Sequence, residues 1–278
     1  AGGTGSRLYP LTKGVSKQLL PVFDKPMIYY PLSLLFQIGI KDIAIIVKSE
    51  DKISFKKLLG NGSQWNSRIT YIIQKKPEGI AHSYIIAEKF LNNSPSVLIL
   101  GDNIFYGFNF IENFFKSQQF NGAHVFGLKV KDARRYGNLK FKNRKLVEIV
   151  EKPKKQYSNY AVTGIYCLDS NASKFVKKIK KSKRNELEIV DLLNIYLKKG
   201  RLSYSLADEN TVWFDAGTHE SLNDASNFIR SLQIRQGSLF GSPEIIAYNN
   251  KWIDKKKLNK LSKNYNNIYG ENLKKIRK

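Results

Sequence analysis

Two aspartates carry the first chemical signal. Asp102 comes just after the apolar run at residues 97–100 (VLIL), and Asp215 directly follows the run at 212–214 (VWF). Positions just past the carboxyl ends of strands in open α/β sheets face the ligand crevice. Two carboxylates so placed suit Mg²⁺, a hard cation that takes one or two carboxylates together with substrate phosphates and water. Either aspartate alone would be read as the turn former that ends a strand. Near the start of the chain, Gly2, Gly3 and Gly5 in GGTGSRL let backbone N–H groups approach an anion closely. Arg7 adds a planar fork for paired phosphate contacts. The turn is not a dinucleotide fingerprint, because Leu8 stands where the third glycine belongs, and no G-K-[ST] closes it as a Walker A loop.

These groups need a scaffold, and the first half of the chain supplies an alternating one. Runs at 43–47 (IAIIV), 69–73 (ITYII) and 97–100 have the length and unbroken apolarity of strands buried on both faces of a parallel sheet. Residues 31–39 read as a helix with proline in its first turn and a glycine stop, and 53–59 and 80–91 carry helical spacing. Farther on, 123–130, 138–141, 146–150 and 161–168 are strand-like with little helix between, which predicts an antiparallel or mixed extension. Helices are expected at 172–179 and 187–199, strands at 203–206 and 212–214, and only helix from 219 onward. The sum is an α/β protein, a three-layer α/β/α Rossmann-like mixed sheet with right-handed crossovers. Residues 1–218 form its catalytic domain and 219–278 a C-terminal helical appendage whose end, 255–278, reads as a solvated helical or frayed end. Such a glycine turn hangs from a buried strand, so a first strand is expected ahead of Ala1 and is absent from this chain.

Composition narrows the class. The chain has 278 residues, with 47 basic against 23 acidic side chains for a net charge of +24. Clustered lysines can bind nucleic acid by neutralising phosphates, but here they are spread over turns and helix faces, and the densest patches, 177–184 and 255–278, interleave few aromatics. The reading is a solvated basic surface and no nucleic-acid partner, although such a surface still draws small anions. No apolar run reaches the roughly 18 residues that span a bilayer, and no signal peptide is read, so the expected place is the cytoplasm, away from membranes. Cys167 is the only cysteine, and His82, His124 and His219 are scattered, which argues against a zinc centre.

The glycine turn continues into SKQLLP at 16–21 and DKPMI at 24–28. This succession resembles the signature of the sugar-phosphate nucleotidylyltransferases, and the longer string SKQLLPVFDKPMIYYPLSLL resembles the thymidylyltransferase branch of that family. The likeness runs on through LGDN (100–103), RYG (135–137), EKP (151–153), SNYAVTGIY (158–166), ELEI (186–189) and WFDAGTH (213–219), across nearly the whole chain.

The resemblance implies a glycosyltransferase-A-like nucleotidyltransferase fold, a homotetramer, and Mg²⁺-dependent transfer from dTTP to glucose-1-phosphate in deoxysugar synthesis for surface polysaccharide, of the dTDP-rhamnose kind. UTP remains open as the donor. A catalytically inert homologue is disfavoured, because Arg7, Lys17, Asp102 and Asp215 are all present. By the same resemblance Asp102 and Asp215 hold the metal, with Asp102 also at the nucleotide. Gly2, Gly3 and Gly5 cradle its phosphates, and Arg7 and Lys17 hold the triphosphate and steady the leaving pyrophosphate. Lys152 grips the phosphate of the sugar phosphate. Glu151 and Gly137 meet sugar hydroxyls, with Asn103, Tyr136 and Val162 lining that pocket. Gln74 reads the pyrimidine, its amide offering a donor and an acceptor to the imide edge, and Gly79 lets the ring lie on backbone. Two stretches depart from the family pattern. IAHS stands at 80–83 near the base-reading glutamine, and FNFI (108–111) and ENT (209–211) replace residues tied to a regulatory site, so the resemblance leaves feedback inhibition open.

Overall fold

The computed structural model describes residues 1–107, 109–117 and 121–276. The first turns lead into a two-stranded hairpin, β1 (Pro21–Val22) and β2 (Lys25–Pro26), then α1 (Tyr29–Gln37), β3 (Asp42–Val47), α2 (Lys52–Leu59) and β4 (Arg68–Ile73). After them come the short helices α3 (Ser83–Ile86) and α4 (Glu88–Leu91), β5 (Ser96–Ile99), β6 (Asn103–Tyr106), α5 (Asn109–Ser117) and β7 (Ala123–Lys129). Then follow β8 (Gly137–Lys142), β9 (Lys145–Glu151), β10 (Tyr160–Leu168), α6 (Ala172–Val176), α7 (Ile189–Lys198), β11 (Leu202–Leu206) and β12 (Val212–Asp215). The chain finishes with α8 (His219–Gln236), α9 (Pro243–Asn249), α10 (Lys255–Ser262) and α11 (Ile268–Lys275). Among the described residues, no helix is long and apolar enough to cross a membrane.

Two units divide these elements. The first takes Ala1–Ile73, Gly101–Ile104 and Phe214–Lys278, and the second Gln74–Leu100 and Phe105–Trp213. In the first unit β3 and β4 pair in parallel, from Asp42 opposite Arg68 to Val47 opposite Ile73. Ile43, Ile45 and Val47 are buried while Ala44 and Ile46 are half-buried, so the continuous apolar run conceals the alternation that a pleated strand imposes. Val22, Met27, Tyr30, Ile104, Ala216, Ala225 and Ile229 make one apolar cluster, joining the hairpin to α8.

Each later helix has a side-chain cap: Thr218, Ser242, Asp254 and Asn267 each accept from a backbone N–H in the first turn of α8, α9, α10 and α11. The end expected as solvated helix or fraying is helical, in α10 and α11, but packed as far as Leu273, with Leu258, Tyr269 and Leu273 buried; Arg277 and Lys278 lie outside the described residues. A buried polar knot fastens these helices to the hairpin. Lys25, only 3% exposed, donates to Asp24 at 2.5 Å and to Gln233 at 2.8 Å. Glu244, 1% exposed, accepts from the hydroxyls of Tyr269 at 2.7 Å, Tyr265 at 3.0 Å and Ser242 at 3.0 Å.

The second unit holds a mixed sheet in the order β11-β7-β10-β8-β9, with β5 also on β10. β11 runs parallel to β7, and the other pairings of this sheet are antiparallel. The VLIL run therefore lies antiparallel to β10, Ile99 opposite Ile165, where the sequence suggested a parallel neighbour. Its partner lies some sixty residues away, and periodicity says nothing about direction. The helix expected over 80–91 is two helices, interrupted at Ala87, whose φ of −92° and ψ of 4° leave the helical region. Asn194 of α7 accepts from the Ile149 N–H at 3.0 Å and donates to its carbonyl at 2.8 Å, holding α7 to β9.

Candidate active site

The first unit gathers the phosphate- and metal-type groups. Gly5 takes a φ of +66°, and Thr12 Oγ1 donates to its carbonyl at 2.8 Å, closing the glycine turn. Gly3 is exposed, with nothing within 4 Å of where a Cβ would stand, so its backbone is open to a ligand; Gly2 is buried behind it. Arg7 sits in the single helical turn Ser6–Leu8 that follows. Its guanidinium crosses Gly217: a methyl added there would lie 2.6 Å from Arg7 Nη2 and 3.0 Å from Asp215 Oδ1.

Asp215 ends β12, and the next N–H, of Ala216, donates at 3.0 Å to the carbonyl of Asp102. Asp102 lies in the turn between β5 and β6, as the sequence implied. Its carboxylate receives the Lys17 ammonium and, at 3.1 Å, the Asn103 amide. Burial opposes charge on Asp102, but Lys17 and Asn103 more than offset it and hold the carboxyl below its ordinary range. Arg7 and Asp215 thus both lie beside Gly217, while the Ala216 backbone bond and the Lys17 ion pair meet at Asp102. Gly101 is required by the same packing, since a Cβ there would meet Gln18 Cγ at 2.9 Å. Asp102 and Asp215 offer the hard anionic oxygens that Mg²⁺ prefers, one of them kept ionised by its neighbours, so these residues fit that cation. Among the described residues there is no cluster of three or more metal-ligating side chains.

The second unit carries the groups expected at the sugar and the base. Glu151 ends β9, and Lys152 follows with a φ of +42°, a left-handed conformation that costs a lysine energy and marks a constrained turn. The Lys152 N–H donates to the Tyr136 carbonyl at 3.0 Å, bringing the RYG and EKP stretches together. Burial raises the Glu151 carboxyl above its ordinary value, against the pull of Lys152 and Arg184. Gly137 leaves room for Val190, which would be 3.1 Å from a Cβ there. Val162 lies in the apolar core of this unit at 5% exposure, and the Tyr136 ring packs on Trp213 at 4.8 Å.

Gln74 is buried, with its Nε2 at 3.3 Å from His82 Nδ1, and His82 Nε2 lies 3.3 Å from Glu78. The histidine that departs from the family pattern therefore sits on the amide expected to read the base. Gly79 has a φ of +98°, and a Cβ on it would come within 2.4 Å of the Leu187 carbonyl. Neighbouring backbone is thus sufficient to require glycine at this position.

Two residues escaped the sequence reading. Arg184 donates to Glu151 at 3.1 Å and to Glu188 at 2.9 Å, yet in sequence it closes a lysine-rich patch; the signal available was the ELEI block that begins two residues later. Gly217 was visible only as part of WFDAGTH, and its contact with Arg7 spans the chain. Of the regulatory departures, Phe108 lies outside the described residues, while Thr211 Oγ1 donates to the Gly107 carbonyl at 3.0 Å.

A glycine turn with basic groups and two strand-end carboxylates on an α/β frame defines an enzyme that handles nucleotide phosphates. The nucleotidyl transferase family profile matches residues 1–231, and the chain belongs to that family. A glucose-1-phosphate thymidylyltransferase of Xanthomonas campestris pv. campestris is 48% identical over 264 residues, covering 94% of this chain and 90% of the relative. Another, from Neisseria meningitidis serogroup A, is 47% identical over 276 residues, covering 98% and 96%. Among solved structures, a Bacillus anthracis protein described as a glucose-1-phosphate thymidylyltransferase, in complex with sucrose, superposes with a TM-score of 0.75 at 45% identity. That match covers 83% of this chain and 93% of the other.

Proposed function

We propose that this nucleotidyltransferase joins dTTP and glucose-1-phosphate into dTDP-glucose and pyrophosphate. The relatives' names support the substrates, and the observation that carries the chemistry is the gathering of Arg7 and Asp215 at Gly217 and of Lys17 on the Asp102 carboxylate, with the Ala216 N–H bonded to the Asp102 carbonyl. An oxygen of the sugar phosphate attacks the α-phosphorus in line, the bond to the β-phosphate oxygen breaks, and pyrophosphate departs. Little covalent help is needed, so the protein acts by positioning and charge balance.

In this reading the glycine turn and Arg7 receive the triphosphate, and Arg7 and Lys17 balance charge on the departing pyrophosphate. Lys152, with Arg184, holds the phosphate of glucose-1-phosphate. Glu151 accepts from sugar hydroxyls, near Gly137 and Tyr136. Gln74, oriented by His82, pairs with the imide edge of thymine. Asp102 and Asp215 would hold Mg²⁺, which when bound neutralises phosphate charge. Lys17 competes for the same Asp102 carboxylate, so metal loading and release of that ion pair are linked. Residues 1–218 do the chemistry, residues 219–278 brace them, and the working form is a cytoplasmic homotetramer serving dTDP-rhamnose synthesis.

Pyrophosphate release from purified protein with glucose-1-phosphate and either dTTP or UTP tests this. A higher kcat/KM with dTTP is expected. Equal values would remove the thymidylyl assignment, and no release with either would remove the reaction.

A further inference from the structure

Within the second unit lies a cavity of about 810 Å³, lined by residues 130–132, 134–136 and 154–156. Its wall carries Lys131, Arg134, Arg135, Lys154 and Lys155 against the single carboxylate of Asp132, five positive charges to one negative and so +4 overall. That carboxylate is already engaged by Arg134, at 2.7 Å from Nε and 3.0 Å from Nη2. Among the described residues, Lys131, Lys154 and Lys155 have no ion-pair partner, and Arg135 lies over the Tyr136 ring at 5.6 Å.

The walls are fixed before any ligand arrives. Gln156 accepts from the Ala133 N–H at 3.1 Å and donates to Asn159 at 2.6 Å, while the Val130 N–H donates to the Asn159 carbonyl at 2.8 Å. A concavity that crowds like charges on tied loops stores repulsion that an anion relieves. A monophosphate brings at most about two negative charges, which leaves half of the +4 unbalanced, and a diphosphate comes closer. The volume and the side chains of Val130 and Tyr136 on the wall leave room for an organic substituent.

We infer that this cavity is a second anion site, taking a diphosphate group either free or as its nucleoside ester. The inference does not depend on the reaction proposed above. Because the cations are exposed, binding weakens as salt shortens the screening length from about 10 Å at 0.1 M.

Calorimetry in metal-free buffer with inorganic pyrophosphate and with ADP provides the test. The background is R7A/K17A, which removes the basic groups of the glycine-turn half. One diphosphate is expected to bind there, and adding K131A/K154A/K155A is expected to raise its Kd on the order of tenfold or more. Response to pyrophosphate alone identifies the free anion, and response to ADP identifies the ester. The triple lysine variant in the wild-type background is expected to keep kcat, which reports an intact fold. If it loses kcat, K154Q/K155Q replaces it, with a Kd rise of about threefold expected. Affinities of both probes unchanged within about twofold by these lysine substitutions, or no binding in the R7A/K17A background, would overturn the inference.

Discussion

Replacing Gly217 with alanine sets a methyl 2.6 Å from Arg7 Nη2 and 3.0 Å from Asp215 Oδ1. Something must move, and the Arg7 guanidinium is the compliant partner, being the far end of a flexible side chain. The Gly217 backbone lies outside the left-handed region, so alanine adds no conformational strain and restricts the unfolded chain, an effect worth about 0.4–1 kcal/mol in the stabilising direction. Gly217→Ala is therefore expected to melt within about 3 °C of wild type. Its activity should not survive as well. In the proposed reaction, displacing the fork would remove a charge-assisted contact with the departing pyrophosphate, worth about 1.5–3 kcal/mol, or roughly 12- to 150-fold in kcat/KM. Steady-state pyrophosphate release, with dTTP and glucose-1-phosphate varied in turn, would show the loss in kcat and in the dTTP term and leave the KM for glucose-1-phosphate near its original value. A variant within about threefold of wild type, or one whose loss is matched by unfolding, would refute the placement of Arg7 at the phosphates.

Lys17→Ala should lose activity and also change acid stability. The Asp102 carboxyl is held below its ordinary 3.8, so its contribution is complete above that value and fades as pH falls through the depressed one. The stability difference between wild type and variant, followed by chemical denaturation, should be constant above about pH 4 and shrink below it. Tyr269→Phe removes the hydroxyl that bonds Ser242 at 2.8 Å and Glu244 at 2.7 Å. Leaving that buried carboxylate short of a donor should cost about 1–3 kcal/mol, read as a lower Tm with kcat unchanged. His82→Ala frees the Gln74 amide and should raise the KM for dTTP a few-fold while sparing that for glucose-1-phosphate; an unchanged KM for dTTP would separate His82 from base reading.

Much of this architecture is legible from short-range pattern. The runs ending at Val47, Ile73 and Leu168 mark strands because unbroken β-branched segments have few other uses, and the caps of α8 to α11 are the polar residues that helix starts favour. Strand direction is not written locally, so the apolar run of β5 reads as a parallel strand although Ile165 holds it antiparallel. Burial of charge is equally hidden. Lys25 and Glu244 look like solvated residues and are buried only because distant segments meet around them. In the site, Asp102 and Asp215 were visible because a carboxylate after an apolar run is a local signal. Arg184 was not, because only folding sets its guanidinium on Glu151.

The most direct test of the central claim is metal-dependent formation of dTDP-glucose by wild type, Asp102→Asn and Asp215→Asn, with circular dichroism confirming each fold. Product is expected only when Mg²⁺ is present, with a loss of about a hundredfold or more in kcat for each folded variant. Product formed at the wild-type rate by either variant, or a rate indifferent to Mg²⁺, would contradict that claim.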